Sequence, residues 1–281
     1  MKSKSSAMRC AQETADIMEL IFAVEWQKIS PELHGDILRA VRDAGVKKLV
    51  LGSGVRDKEF FETGKMDKLL EAVEENGLHF AAAHGLWSAD NDLNWPDEKG
   101  RKIMVGCQKE FIAFAASVGC RTYTLHPGVA YMRYDRDLLW DKVRRSVEAL
   151  LDEAEKNNII IALENNVIMN LGIDCAELAD FIDTFDSPFL GACFDSGHAN
   201  AVSDVLESFD ALSRHVVTAH LHDNDGTGDQ HRMPYEGNIP WGELMKKLSA
   251  APRLVHVESE PAGMHLPEKI EQALKIYTKL V

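Results

Sequence analysis

The segment HLHDNDGTGDQH, running from His220 to His231, holds three imidazoles and three aspartates in twelve residues. Side chains of that kind recur upstream and downstream. AAAHG presents His84, TLHPG presents His126, ALEN presents Glu164, CFDSGHAN presents Asp195 and His198, and HVESEP presents Glu258. Imidazole and carboxylate are the donors that bind zinc, manganese, magnesium or cobalt, so the chemistry these residues suggest is that of one or more divalent ions.

The placement of these groups is what gives them meaning. Short β-branched or apolar runs alternate along the chain with longer stretches of helical period, which is a repeated βα unit. The predicted strands are 47–51, 79–83, 121–125, 159–163, 190–194, 216–220 and 254–258, with a weaker first strand at 21–24. Six consecutive strands each end on a metal-capable residue: His84, His126, Glu164, Asp195, His220 and Glu258. Met104, Cys107, Phe111, Phe114, Ala115 and Val118 fall on one helical face that Gly119 stops, and Leu139, Val143, Val147, Leu150, Leu151 and Ala154 form another. Eight strands in one chain without a linker predict a single α/β domain over 1–281, a (β/α)8 TIM barrel, with residues 1–20 as an N-terminal extension. Active sites of such barrels lie at the C-terminal ends of the strands, where these residues fall.

Composition narrows the classes. The chain has 281 residues, 45% of them apolar, with 31 Lys and Arg against 45 Asp and Glu for a net charge of −14. That balance argues against a general nucleic-acid or anionic-membrane surface and leaves only a local basic groove open. Five scattered cysteines without a CxxC pair predict no disulfide framework and a reducing, cytoplasmic setting. Glu13, Asp16, Glu19 and Glu25 interrupt the apolar residues near the N-terminus, so no signal peptide or membrane span is read there.

From about His79 to Glu258 the motifs resemble the xylose-isomerase-like barrels, a superfamily of sugar isomerases, ketose epimerases and endonuclease IV; the first seventy residues match it poorly. Nine residues here correspond to the ligands that hold three zinc ions in endonuclease IV: His84, His126, Glu164, Asp195, His198, His220, Asp229, His231 and Glu258. The resemblance implies a central site of Glu164, Asp195, His220 and Glu258, a second site of His84 and His126 with Glu164, and a third of His198, Asp229 and His231. Three carboxylates with one imidazole suit Mn, Mg, Co or Zn, whereas two imidazoles with a carboxylate suit zinc. One to three ions are therefore expected.

Two enzyme classes follow from this resemblance. The preferred one is a metal-dependent isomerase or epimerase of a sugar, sugar phosphate or related polyol, in which Glu164 and Glu258 move a proton through a stabilised enediolate. The alternative is an endonuclease IV-like zinc phosphodiesterase acting on abasic DNA, against which PYEG stands where endonuclease IV reads GEG. A third reading is a barrel that binds a polyol through its metal without turnover. Trp87 is a candidate wall of the substrate pocket, and Arg232, with Arg133 and Arg136, a candidate partner for a substrate phosphate. Asn165 is expected to point away from the Glu164 side. His256 reads as a core imidazole, His222 as a neighbouring support or a solvated loop residue, and His34, His215 and His265 as surface residues. The oligomeric state is not legible.

Overall fold

The computed structural model describes residues 18–281 apart from 53, 55–59, 61, 62, 88–91 and 168. Cys10 and most of the expected N-terminal extension lie outside the described residues. Eight strands form a closed barrel in chain order: β1 (Leu20–Phe22), β2 (Lys48–Leu51), β3 (His79–His84), β4 (Thr122–Leu125), β5 (Ile160–Glu164), β6 (Leu190–Asp195), β7 (Val216–Leu221) and β8 (His256–Ser259). Every neighbouring pair is parallel, and the short β1 joins β8 to β2, so no sheet edge is left open. The described helices are α1 (His34–Asp43), α2 (Lys65–Glu75), α3 (Glu98–Ser117), α4 (Arg136–Lys156), α5 (Cys175–Asp183), α6 (Ser196–Val202), α7 (Val205–Leu212), α8 (Trp241–Ser249) and α9 (Pro267–Leu280).

Aspartates start many of these helices. Asp97, Asp135, Asp174, Asp195 and Asp204 each accept a hydrogen bond from a backbone N–H of the first turn of α3, α4, α5, α6 and α7. All of these except α6, whose buried residues are Ser196, Gly197, His198 and Ala199, then lay an apolar stripe on the barrel. On α4 the stripe is the predicted one, with Leu139, Val143, Val147, Leu150 and Ala154 buried. On α3 it is rotated from the prediction: Met104, Phe111 and Ala115 are buried, but Val105, Gln108 and Ile112 are buried beside them and Cys107, Phe114 and Val118 sit only at the margin. Gln108 is polar and so escapes an apolar-pattern search. Its amide accepts from Tyr123 Oη at 2.6 Å and donates to the Leu86 carbonyl at 2.8 Å, which ties the loop carrying Trp87 to β4.

Alternation along the strands sorts the rest. Phe80, Tyr123, Ile161, Leu163 and Phe194 belong to the large core beneath the helices, while Ala162 and Cys193 share the inward face with Glu164 and Asp195. His34, read from the sequence as a surface residue, is instead buried, its ring 5.2 Å from that of Trp26; one helical turn set against an aromatic covers it.

The HPG turn after β4 shows how the fold holds a site residue. Gly128 has φ +122°, and a Cβ there would come within 2.3 Å of Asn94 Oδ1. Asn94 is fully buried and donates to the Val129 carbonyl at 2.7 Å, so it cannot move aside without losing that bond. Gly128→Ala should therefore lower stability by about 2 kcal/mol or more, from backbone strain and overpacking together. Chemical denaturation measures it; an unchanged midpoint would show that the turn is not so constrained.

Candidate metal centre

All six strand-end residues meet at one mouth of the barrel. Glu164, the last residue of β5, is buried at the middle. Its Oε2 lies 3.0 Å from His126 Nε2 and 3.5 Å from His84 Nε2; its Oε1 lies 3.2 Å from His220 Nδ1 and 3.4 Å from His198 Nδ1. Asp195 caps α6 through a 2.6 Å hydrogen bond from the His198 N–H, which places His198 one turn above it. Register does the same across β6, β7 and β8, where Asp195 pairs with His220 and His220 with Glu258.

Three histidines are set up alike. Nδ1 of His84 faces the Gly85 carbonyl at 3.0 Å, Nδ1 of His198 the Asn165 carbonyl at 2.9 Å, and Nδ1 of His231 the Glu260 carbonyl at 2.9 Å. A carbonyl only accepts, so each Nδ1 must carry a proton, and Nε2 is the atom that each ring, once deprotonated there, could offer to an ion. Backbone support of this kind is how metal-binding histidines are oriented. His198 and His231 then bring Nε2 to 3.4 Å and 3.2 Å from Asp229 Oδ2.

Among the described residues, ligand atoms gather within 4.8 Å of one another in three groups, the first two sharing Glu164 and His220: Glu164, Asp195, His220 and Glu260; His84, Glu164 and His220; and His198, His222, Asp229 and His231. The donor sets fit divalent ions, and the buried Glu164 Oε2, close to His126 but accepting no well-aligned hydrogen bond, keeps a lone pair that an ion could use. His126 stands beside the second group, its ring 5.2 Å from that of His84. Glu258 belongs to no group: its Oε1 accepts from Thr218 Oγ1 at 2.8 Å and lies 3.1 Å from His256 Nε2.

Two residues of the groups were missed by sequence reasoning. His222 is fully buried, with Nε2 3.0 Å from Asp195 Oδ1 and its ring stacked 3.9 Å from that of His231. Glu260 follows Glu258 by two residues; the alternation of HVESEP was the available signal. Asn165 points away from Glu164, its amide exchanging hydrogen bonds with the Asp195 backbone at 2.8 and 3.0 Å. Trp87 is exposed and walls the mouth, its ring 6.2 Å from that of His126. Arg232 is outside the cavity lining and bonded to Asp225 at 2.8 Å; Arg136 is engaged by Glu177 on the helices, and Arg133 is exposed away from the lining. The cavity measures about 470 Å³, and Lys28 is the one Lys or Arg among its described lining residues.

Without ions the cluster neutralises itself. Burial opposes ionisation of Glu164 and Asp195, but His220 and His126 around the first, and His198 and His222 around the second, hold both well below the usual carboxylate range. Conversely, burial disfavours the imidazolium form of His198, His220 and His231. The adjoining anions outweigh it, and His231 beside Asp229 is pushed up to about 9.

A closed parallel barrel with histidines and carboxylates converging at its C-terminal mouth defines the class, a TIM barrel with a candidate metal centre. Residues 38–280 match the family of xylose isomerase-like TIM barrels, and the chain belongs to that family. An uncharacterized protein of Methanocaldococcus jannaschii is 30% identical over 193 residues, 66% of each chain. A probable endonuclease 4 of Campylobacter concisus is 25% identical over 66% of this chain and 71% of its own. The chain spans about two thirds of the first curated relative's length and 51% of the second's. Among solved structures, a D-tagatose 3-epimerase-like protein superposes with a TM-score of 0.79 at 21% identity, covering 94% of this chain and 97% of its own. The IolI protein, which holds a zinc atom, does so with 0.75 at 19%, covering 94% and 96%. At those identities the likeness is one of fold. No described helix is long and apolar enough to cross a membrane.

The charges set a pH dependence. A histidine with a raised pKa contributes stability that is complete below its unfolded value near ~6.5 and is lost as pH climbs through its folded value. For His231 that folded value is about 9. The depressed carboxylates contribute stability that is present above ~4 and lost on acidification. Metal-free protein should accordingly lose melting temperature from about pH 6.5 upward, while zinc, which needs the deprotonated imidazoles, should bind more tightly over the same range. Melting curves with chelator and with zinc from pH 6 to 10 test this; a metal-free curve that is flat with pH would count against it.

Proposed function

We propose that the protein is a metal-dependent isomerase or epimerase acting on a sugar or related polyol. The observation that carries this reading is the group formed by buried Glu164, Asp195 and His220 with half-buried Glu260, at a cavity of about 470 Å³. Three carboxylates and one imidazole form a hard, oxygen-rich set, and the volume suits a single sugar better than a polymer. Solved structures of similar fold include a 3-keto-D-glucoside 4-epimerase from E. coli and an L-ribulose 3-epimerase, which supports the same class.

A divalent ion bound there would polarise a carbonyl and its neighbouring hydroxyl and so acidify the C–H between them. Glu164 takes the proton on one side of the substrate, the electron pair of the C–H bond shifts toward the carbonyl oxygen, and a glutamate of the β8 end returns a proton from the other side. Trp87 covers the open side of the sugar and limits access of water. His84 and His126 hold a second position beside Glu164. His198, His222, Asp229 and His231 would hold a third, on the loop beside the substrate cavity.

The second reading is a zinc phosphodiesterase acting on abasic DNA, favoured by the endonuclease 4 relatives and by the Asp229 and His231 pair beside His198. Proton transfer and phosphate-ester hydrolysis separate cleanly in heavy water. Manganese-loaded protein should incorporate deuterium at the carbon beside the carbonyl of a ketose, and Glu164→Ala should reduce that exchange by at least about a thousandfold, as for loss of the base together with an ion ligand. Abasic-site cleavage by the wild type, without exchange on any of a panel of ketoses and aldoses, would replace the first reading with the second.

A further inference from the structure

The β8 end offers two glutamates on one face, and both line the cavity. Ser259 between them turns the other way, its Oγ accepting from the Ala23 N–H at 3.0 Å, so Glu258 and Glu260 stand one above the other. His220 decides between them. An imidazole gives a metal one nitrogen and keeps a proton on the other. Nδ1 of His220 faces Glu164 Oε1 at 3.2 Å, Glu260 Oε2 at 3.0 Å and Asp195 Oδ2 at 3.7 Å. Nε2 faces the opposite way, toward Glu258 Oε2 at 3.6 Å. A group held through Nδ1 would have Glu260 within reach, whereas Glu258 lies on the Nε2 side of the ring.

The two carboxylates also differ in what they already hold. Glu258 is committed deeper in the barrel, to Thr218 and His256. Glu260 Oε2 is shielded from water and accepts no hydrogen bond among the described residues. On the metal-dependent reading above, we propose that Glu260 is the fourth ligand of the central ion and the proton-returning group facing Glu164, and that Glu258 is a positioning residue that keeps the proton on His220 Nε2. Glu258 thereby fixes Nδ1 as the ligating atom, in the manner of a carboxylate behind a metal-bound histidine. This moves the role that the family resemblance implies for Glu258 two residues along the chain.

The test uses the full chain freed of metal and titrated with Mn²⁺ alone, the ion that favours the oxygen-rich site over the histidine-rich ones. Binding is followed by the electron paramagnetic resonance signal of free Mn²⁺. Glu260→Gln should weaken the tightest Mn²⁺ site by about a thousandfold or more, whereas Glu258→Gln should cost about 10- to 100-fold, as for loss of an outer support. Co²⁺ absorption gives a second readout: Glu258→Gln at saturation should keep the wild-type band shape, and Glu260→Gln should change it. Metal-free melting curves show that each variant is folded; should Glu260→Gln not be, Glu260→Asp, which keeps the charge and shortens the reach, takes its place with the same expected order. The reverse ranking, with Glu258→Gln losing the ion and the Co²⁺ bands while Glu260→Gln keeps both, overturns the proposal. No substrate enters these measurements, so a failed ketose assay leaves the ranking of the two glutamates standing, and a reversed ranking leaves the ketose assay standing.

Discussion

One buried carboxylate organises the mouth of this barrel. Glu164 lies within 3.5 Å of ring nitrogens from His84, His126, His198 and His220, which come from β3, the β4 end, α6 and β7. An ionised group so far from water is costly unless positive charge surrounds it. In the metal-free protein His84, His198 and His220, whose pKa values the surrounding carboxylates raise, provide that charge by holding protons; divalent ions would provide it more completely and release those protons. The same geometry thus serves two charge states, and the barrel supplies it through strand register: placing Glu164 at the end of β5 requires that β3, β4, β6 and β7 end at the same level.

Much of this was legible in the sequence because period-2 alternation and strand ends are both local signals. The eight strands fall within one or two residues of the expected runs, including the weak first one, now Leu20–Phe22. The convergence of His84, His126, Glu164, Asp195 and His220 follows from strand phase alone. What escaped were facts that depend on side-chain direction. Whether His222 points inward or to water is set by Ser196 and Gly197: Ser196 Oγ donates to the His222 carbonyl at 2.9 Å, and a Cβ on Gly197 would sit 2.0 Å from the His222 ring. Those contacts are long-range. The contest between Glu258 and Glu260 likewise turns on a ring orientation, which no spacing rule carries.

Arginine misled for a related reason. Arg232 lies next to His231 in sequence, but His231 adopts φ +47°, and the chain reverses there so that consecutive side chains diverge. His231 faces Asp229, while Arg232 returns to Asp225 on the outer surface of the loop. Adjacency to a site residue therefore says little when the backbone between them is left-handed.

That left-handed conformation is itself informative. A β-carbon at positive φ is unfavourable, and such strain persists only where the surroundings hold it. Here they do. The Ala262 N–H donates to the His231 carbonyl at 2.8 Å, and His231 Nδ1 donates to the Glu260 carbonyl at 2.9 Å, clamping the loop to the chain just beyond β8. From the other side, buried Asp223 accepts from the Trp241 Nε1–H at 2.8 Å and from the Tyr235 N–H at 2.9 Å. Gly237 passes close to Asn224, leaving no room for a side chain. The segment that carries Asp229 and His231 is thus braced at both ends and packed beneath, the construction of a preformed ligand platform and not of a swinging lid. Because the His231 clamp closes on the Glu260 carbonyl, the third group and the end of β8 share one piece of backbone, so a shift in either position is felt at the other.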